Sequence, residues 1–169
     1  MIKPTLKYSI LCGIFLSALF FISLTFGSNP LLDQRHFFFD LAVFALFIFF
    51  ACKEFKVYRN GGIFHFWQGI NIGFIIMIPS VIIFSLFLFV IFEQFPELID
   101  QYKVGAKLLV DAQKELYVET FGEKVIEEQY EQIDARKPID LIMRSSVWKI
   151  ITGFLVTPVV AIILRKKPK

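Results

Sequence analysis

The sequence predicts an all-α membrane protein with four transmembrane helices and an extracytoplasmic α-helical hairpin between the third and the fourth. Three observations predict this fold. Hydrophobic residues make up 56% of the 169 residues, and 22 residues are Phe, which is more apolar surface than a soluble domain of this size can bury. The apolar residues form four long blocks, and crossing a hydrocarbon layer of about 30 Å takes about 20 helical residues. One sizeable polar region separates the last two blocks.

The first predicted span, residues 8–26, follows two basic residues, Lys3 and Lys7. A basic start and an apolar stretch are also typical of a signal peptide. The apolar run is longer than that of a signal peptide, however, and the turn-forming residues 27–30 follow it in place of a small-residue cleavage site. A lipoprotein signal at Cys12 is disfavoured because the residue before it is not small. We therefore interpret this segment as a retained transmembrane helix.

The second and third predicted spans are residues 37–52 and 67–92. A basic segment joins them and ends in the turn-forming residues 60–62. Aromatic residues leading up to Trp67 are expected at the membrane interface. Pro79 lies in the middle of the third span, and we expect it to kink this helix.

The fourth predicted span, residues 147–164, is followed by a basic tail and contains Pro158, a second mid-span proline. Lys149 lies near the start of this span. A lysine at that depth can extend its ammonium group to the headgroups while its stem remains in apolar surroundings. We expect Lys149 to do so beside Trp148.

The chain is thus predicted to be a single domain, residues 1–169, with an amphipathic helical insertion at residues 93–144. Apolar residues recur in the insertion at spacings of three and four, which predicts a helix. These residues are Phe95, Leu98, Tyr102, Ala106, Leu109, Ala112 and Leu116. Gly122 interrupts the pattern, and Pro138 ends a second helix that has Ile126, Tyr130 and Ile133 on one side. We expect a helical hairpin, or a bent helix, outside the bilayer.

Basic residues predict the orientation, because they remain on the cytoplasmic side in short loops and beside spans. Nine of them flank one set of span ends, whereas the opposite short loop contains only Arg35. The nine are Lys3, Lys7, Lys53, Lys56, Arg59, Arg165, Lys166, Lys167 and Lys169. Both termini are therefore predicted to be cytoplasmic. The insertion, which holds 12 of the 15 acidic residues, is predicted to lie outside, although it also carries seven basic residues.

The segment KEFKVYRNGGIFHFWQGINIG, residues 53–73, resembles the motif of the domain of unknown function 4199 family, small bacterial membrane proteins found mainly in Bacteroidetes. The matching positions are Lys56, Tyr58, Arg59, Gly61, Gly62, Phe66, Gly69 and Gly73. The whole chain resembles the family in its long helical segment before the fourth span and in its basic tail. The resemblance implies a bacterial inner-membrane protein. It implies no activity, because the family is functionally uncharacterised.

Two polar residues within the spans are candidate functional residues. A carboxylate inside the membrane, such as Asp40, can belong to a proton relay. Asp40 lies only about one turn from the end of its helix, where it can instead reach headgroup water and the positive end of the helix dipole. Gly69 and Gly73 form a Gly-x-x-x-Gly pattern that allows close helix packing, and Asn71 can add an interhelical hydrogen bond. A polar ligand site at Asn71 is the alternative.

The sequence predicts no catalytic, metal or cofactor site. His36 and His65 are expected on opposite sides of the membrane, so they cannot share a metal. Glu123, Glu127 and Glu131 share one helical face with no His among them, which favours a solvated face over a cation site. A nucleotide-binding loop, a Ser-His-Asp order and a zinc-protease motif are missing. Nucleic acid is excluded as a partner because there is no basic stripe with exposed aromatic residues.

Two functions remain open. The leading interpretation is a non-enzymatic interaction or accessory subunit that uses the helical hairpin to contact other membrane proteins or a second copy of itself. Its motivation is the surplus apolar surface of the first hairpin helix, which must meet a companion helix, the headgroups or another subunit. The apolar residues off its main stripe are Val104, Leu108, Val110, Tyr117 and Val118. The alternative is a small oligomeric transporter or channel subunit with Asp40 and Asn71 near a polar path. A membrane enzyme acting on lipid ranks behind both.

Overall fold

The computed structural model describes residues 2–27, 29–122 and 124–166, which form seven α-helices. The helices are α1 Ile2–Thr25, α2 Arg35–Arg59, α3 Phe66–Gln94, α4 Glu97–Ala112, α5 Lys114–Phe121, α6 Lys124–Asp134 and α7 Pro138–Leu164. The predicted all-α class is confirmed. Within the described ranges there is no strand, and the only extended pairing is a single antiparallel bridge between Phe64 and Lys166.

The four long helices α1, α2, α3 and α7 correspond to the four predicted spans, except that α1 ends at Thr25, one residue before the predicted end. Each is long and apolar enough to cross a membrane. The helices extend beyond the apolar blocks. In particular, α7 begins at Pro138, so that residues 138–144 belong to the fourth long helix and not to the insertion. Proline favours a first helical position because its φ is preset. The Asp140 carboxylate accepts a hydrogen bond from the Lys137 backbone N–H at 2.8 Å, which caps the start of the helix.

The long helices form a bundle in which α3 packs most extensively against α7 and α1, while α2 packs against α7 and α1. Helices α1 and α3 run in one direction, and α2 and α7 run in the other. We call the end where α1 and α3 begin the basic end. Its charged side chains include Lys7, Lys53, Lys56, Arg59 and Arg165. We call the opposite end, which carries α4 to α6, the acidic end.

Small residues bring α3 and α7 close together. A Cβ atom added to Gly73 would lie 2.2 Å from Thr157 Cγ2, and one added to Gly69 would lie 2.5 Å from Ala161 Cβ. Both distances are far below van der Waals contact, so only glycine fits at these positions without movement of α7. The helix that packs on the Gly-x-x-x-Gly pattern therefore belongs to the same chain.

At the acidic end, α4 packs against α6 and against the loop between α1 and α2. Lys107 forms an ion pair with Asp134 at 2.7 Å, and Tyr130 donates a hydrogen bond to Asp111. This hydrogen bond and the negative charge of Asp111 raise the pKa of Tyr130 above its ordinary value. A Cβ atom on Gly105 would lie 2.5 Å from Leu32 Cδ1, which shows how closely α4 approaches the loop.

The buried face of α4 differs from the predicted stripe in its last turn. Tyr102 and Ala106 are buried as predicted, but Val110 is buried in place of Leu109, which is 49% exposed. The prediction continued one helix through residue 116, whereas α4 ends at Ala112. The predicted grouping on the second helix is confirmed for Ile126 and Ile133, which are both buried.

Candidate functional site

A salt bridge joins two of the long helices inside the bundle. The Lys149 Nζ atom of α7 lies 2.6 Å from Asp40 Oδ2 of α2, and the two side chains are 7% and 16% exposed. The ammonium group also lies 4.1 Å from the centre of the Phe84 ring of α3, a distance typical of a cation–π contact. Helices α2, α3 and α7 therefore meet at one buried charged site.

The structure corrects the expectation that Lys149 extends to the headgroups. Lys149 is the twelfth residue of α7, about 17 Å from the first at 1.5 Å per residue, and it is 5% exposed. Its side chain contacts a carboxylate inside the bundle instead. A charge within an apolar interior is tolerated when it has an opposite charge within hydrogen-bonding distance. Asp40 supplies that charge, and so Asp40 does not depend on headgroup water either.

His36 lies one turn before Asp40 on α2 and is half-buried. It interacts electrostatically with Asp40 and with Asp33, which precedes the helix. Asp33, His36 and Asp40 thus follow one another along the chain from the acidic end of the bundle to Lys149, and Asp33 also pairs with Arg35. This arrangement connects the buried pair to the end of α2.

Thiol and hydroxyl groups extend the polar interior from Lys149 towards the basic end. Cys12 of α1 interacts electrostatically with both Lys149 and Asp40, and its thiol shares a hydrogen bond with the Ser80 hydroxyl of α3. Ser80 Oγ lies 2.8 Å from the Ser9 carbonyl oxygen and 2.7 Å from that of Ile76, and its proton can go to either. Cys12, Ser80 and Ser9 are fully buried. Three small polar side chains are therefore buried between α1 and α3 within about one helical turn.

An apolar groove of about 690 Å³ runs along the outside of the bundle between α2 and α7. Its walls extend from Leu41 to Phe50 on α2 and from Leu155 to Ile163 on α7, and all ten lining residues are apolar. The groove therefore offers no polar contact to the buried pair.

At the basic end, the turn between α2 and α3 holds the end of α7. Lys56 Nζ donates a hydrogen bond to the Leu164 carbonyl oxygen at 2.8 Å. The backbone N–H groups of Phe64 and Lys166 each donate to the other's carbonyl oxygen, at 3.0 and 2.9 Å. The Phe64 side chain is fully buried. Lys56 thus satisfies a terminal carbonyl of α7 and places a positive charge at its negative end.

The conformation of this turn depends on two glycines. Gly61 and Gly62 have φ angles of +56° and +82°, in the region that side chains with a Cβ atom avoid. Asn60 Nδ2 donates to the Ile63 carbonyl oxygen at 2.8 Å and to Gln68 Oε1 at 3.1 Å. The turn is therefore fixed from both sides, and Phe64 is directed into the core.

The motif residues and the other sequence candidates separate into two groups. Lys56, Gly61, Gly62, Gly69 and Gly73 have the packing and hydrogen-bonding roles described above. The remaining candidates do not share these contacts.

Tyr58 and Arg59 are exposed at the basic end, and Phe66 is half-buried beside the exposed Trp67 ring. Asn71 is also exposed. It lies on the side of α3 opposite the two glycines, because residues two apart in a helix face in nearly opposite directions. The structure therefore separates Asn71 from Asp40 and from the interface between α3 and α7.

Sequence reasoning considered Asp40 and Lys149 separately and missed their pairing, as well as the roles of Cys12, Ser80 and Ser9. The available signal was that two different spans each contain one charged residue, with opposite signs. Intramembrane charges commonly pair with one another. The sequence carried no comparable signal for Cys12, Ser9 and Ser80, since buried serines and cysteines are common in membrane helices.

Replacing Lys56 with methionine is expected to lower the free energy of unfolding by about 1–2 kcal/mol, because a charge-assisted hydrogen bond to a helix terminus is lost. The measurement is equilibrium unfolding in detergent micelles. Lys53→Met is the matched control: it removes the same charge from the same helix at an exposed position and is expected to change stability by less than about 0.5 kcal/mol. Equal effects of the two substitutions would contradict the capping role of Lys56.

Four apolar helices around a buried ion pair, with three shorter helices at one end, define a helical multi-pass membrane protein. The family described as "Protein of unknown function (DUF4199)" matches residues 7–166. The chain therefore belongs to this family, as the motif in residues 53–73 predicted. Comparison with curated proteins and with solved structures gives no match.

Proposed function

We propose that the chain is a non-enzymatic accessory subunit of the bacterial inner membrane that binds a partner protein through an extracytoplasmic hairpin formed by α4 to α6. The observation that carries this proposal is an exposed apolar row on α4. Val104 and Leu108 are 61% and 62% exposed and lie one turn apart on the same face. The buried face of α4, around Tyr102 and Ala106, is already used for packing within the chain.

The charge of the hairpin supports a protein partner over the bilayer surface. Residues 97–134, which include α4 to α6, contain ten acidic and four basic residues, and two of the lysines, Lys103 and Lys107, bind Asp134. A segment of net negative charge is repelled by anionic headgroups. An apolar row bordered by carboxylates instead matches a protein surface that has an apolar centre and a basic rim.

The proposed orientation places both termini in the cytoplasm. Its support is the positive charge of the basic end, where Lys53, Lys56 and Arg59 close α2 and Arg165 follows α7. Basic residues beside spans remain cytoplasmic. The acidic end, with the hairpin, then faces away from the cytoplasm.

The absence of catalysis is part of the proposal. The polar groups inside the bundle contact one another, as in the pairs Lys149 with Asp40 and Ser80 with Cys12. Among the described residues, no three His, Cys, Asp or Glu side chains are grouped so that they could hold a metal ion. These contacts suit structure and binding better than bond cleavage.

Site-specific photo-cross-linking in intact cells tests this proposal. A photoreactive amino acid at position 108 is expected to capture one protein, and the same group at the exposed position 128 on α6 is not. Leu108→Glu is expected to reduce recovery of that protein at least 10-fold, because it places a charge in an apolar contact. Gln132→Glu adds the same charge on α6 and is expected to leave recovery unchanged.

In the same experiment, labelling of position 108 with a membrane-impermeant affinity probe reports which side of the membrane this position faces. Adducts with lipid alone, or equal capture from positions 108 and 128, would overturn the docking role of α4. Labelling of position 108 only after the cells are opened would overturn the orientation.

A subunit of a transporter or channel is a second candidate, and the buried pair of Asp40 and Lys149 favours it. Ionisable residues within the membrane commonly line ion or proton pathways. This candidate no longer includes Asn71, which lies on the exposed face of α3. Its test is a measurement of solute and ion flux through the reconstituted protein.

A further inference from the structure

We propose that the Asp40–Lys149 pair is a proton-exchange site and that the protein's interior moves protons between the acidic end and the basic end of the bundle. The proposal rests on the second candidate function and names the transported ion. Three observations carry it. The first is the contact between Asp40 and Lys149, and the second is the position of His36 between Asp40 and the acidic end. The third is the group of buried polar residues, Cys12, Ser80 and Ser9, on the side of Lys149 towards the basic end.

The chemistry of the pair selects a proton over a metal ion. Mg²⁺ and Ca²⁺ take six or more oxygen ligands, and Asp40 supplies one carboxylate. The Lys149 ammonium, 2.6 Å from that carboxylate, repels any metal cation in surroundings of low dielectric constant. A proton needs only one lone pair, and both Asp40 and Lys149 can carry one.

The route to the pair from the acidic end passes the first turn of α2. His36 is half-buried and interacts electrostatically with Asp40, and the Asp40 side chain is 16% exposed. The titratable groups that interact with Asp40 are His36 from its own helix, Cys12 from α1 and Lys149 from α7. Asp33 interacts with His36 and forms an ion pair with Arg35. Helix α3 contributes the uncharged Phe84.

The route from the pair towards the basic end passes between α1 and α3. Cys12, Ser80 and Ser9 are fully buried. The Ser80 hydroxyl bonds to the Cys12 thiol and to the Ser9 backbone carbonyl oxygen, and the Ser9 hydroxyl donates to the Leu6 carbonyl oxygen at 2.8 Å. Thr5, one turn further along α1, is also buried. At the basic end, Glu54 accepts hydrogen bonds from neighbouring α1 side chains.

One turnover conserves protons and charge. A proton from water at the acidic end forms an O–H bond on the Asp40 carboxylate, which leaves the Lys149 ammonium positively charged and without its counter-charge. Lys149 then releases one proton from Nζ to water on the Cys12 side, so both groups are neutral. Transfer of the proton from Asp40 to Nζ restores the ion pair. One proton enters, one proton leaves, and no electrons are transferred.

The test uses the full-length protein in phosphatidylcholine vesicles that contain a pH-sensitive dye, with a potassium gradient and valinomycin to set the membrane potential. Acidification is expected to exceed that of protein-free vesicles. D40N/K149Q, which retains a hydrogen-bonding pair without titratable groups, is expected to lower the rate at least 10-fold. D40E, which retains a carboxylate, is expected to keep more of the rate than D40N/K149Q does.

Ser85→Ala is the matched control, because Ser85 and Ser146 form a hydrogen-bonded pair between α3 and α7 that lies off the proposed route. It is expected to leave the rate unchanged. Equal proton rates for the wild type and D40N/K149Q would overturn the proposal. Flux of another solute without proton movement would support the second candidate function and overturn this inference.

Infrared difference spectroscopy provides a readout that is independent of flux. Lowering the pH is expected to produce a carboxylic acid C=O band in the wild type that shifts in D40E and is absent from D40N/K149Q. This measurement decides the question if D40N/K149Q does not reconstitute, since the wild-type and D40E bands can be compared directly. Identical bands in the wild type and D40E would overturn proton uptake at Asp40.

Discussion

Replacing Asp40 with leucine is expected to lower the free energy of unfolding by about 3–5 kcal/mol, because Lys149 is left as a buried charge without a partner. The Lys149 ammonium has few alternatives, since α7 continues for several turns on both sides of it and the residue is 5% exposed. The measurement is denaturant-induced unfolding in detergent micelles. Trp148, which precedes Lys149, provides a local fluorescence signal.

The double variant D40L/K149M separates loss of the pair from loss of packing. Removing both charges is expected to restore stability to within about 1–2 kcal/mol of the wild type, since apolar residues of similar volume replace a buried pair at little cost. Comparison of the wild type, D40L, K149M and D40L/K149M then gives the coupling energy between the two side chains. Additive effects of the single substitutions would contradict a direct buried contact.

Replacing Gly73 with leucine is expected to destabilise the bundle by about 3 kcal/mol, at the upper end of the range for overpacked cores. Even the Cβ atom would lie 2.2 Å from Thr157 Cγ2 and 2.8 Å from Thr157 Cβ, so α3 and α7 would have to separate. Thermal unfolding in micelles measures this effect. Asn71→Leu introduces the same side chain two residues earlier on the exposed face and is expected to change stability by less than about 0.5 kcal/mol.

A compensating pair checks the geometric cause of this loss. G73A is expected to destabilise the protein because its Cβ meets Thr157, and G73A/T157G is expected to recover part of the loss because the facing side chain is gone. If G73A/T157G were less stable than G73A, the close approach of α3 and α7 would not be the reason for the destabilisation by G73A.

The sequence was sufficient to predict the four long helices, because apolar blocks of this length have one stable arrangement in a membrane: helices that satisfy their own backbone hydrogen bonds. It also predicted that Gly69 and Gly73 form a packing face. The helix that packs there could not be predicted, since the periodicity of α3 carries no information about its neighbours. The match to α7 depends on Thr157 and Ala161, two small residues that no sequence pattern in this helix distinguishes from its other positions.

The candidate site was predicted only in part, because here too the sequence of one helix does not indicate which helix packs against it. Asp40 was recognised as an unusual residue, but the local sequence indicated only its distance from the helix end. Its environment is set by a lysine 109 positions later in the chain. The depth of Lys149 was underestimated because α7 begins at Pro138, nine residues before the apolar block. Polar residues at the start of α7 concealed how far the helix extends.

The distance in sequence between Asp40 and Lys149 has a consequence for how the protein is made. The carboxylate of α2 is synthesised long before its partner, so a chain that has completed only α1 to α3 holds an unmatched acid in lipid. The last helix, in turn, carries an amine whose insertion alone costs about 2.5–3.5 kcal/mol at the centre of a span. The pairing of Asp40 with Lys149 therefore lowers the cost of inserting both α2 and α7. A chain that ends before α7 therefore carries a carboxylate within a span that the finished protein neutralises with Lys149.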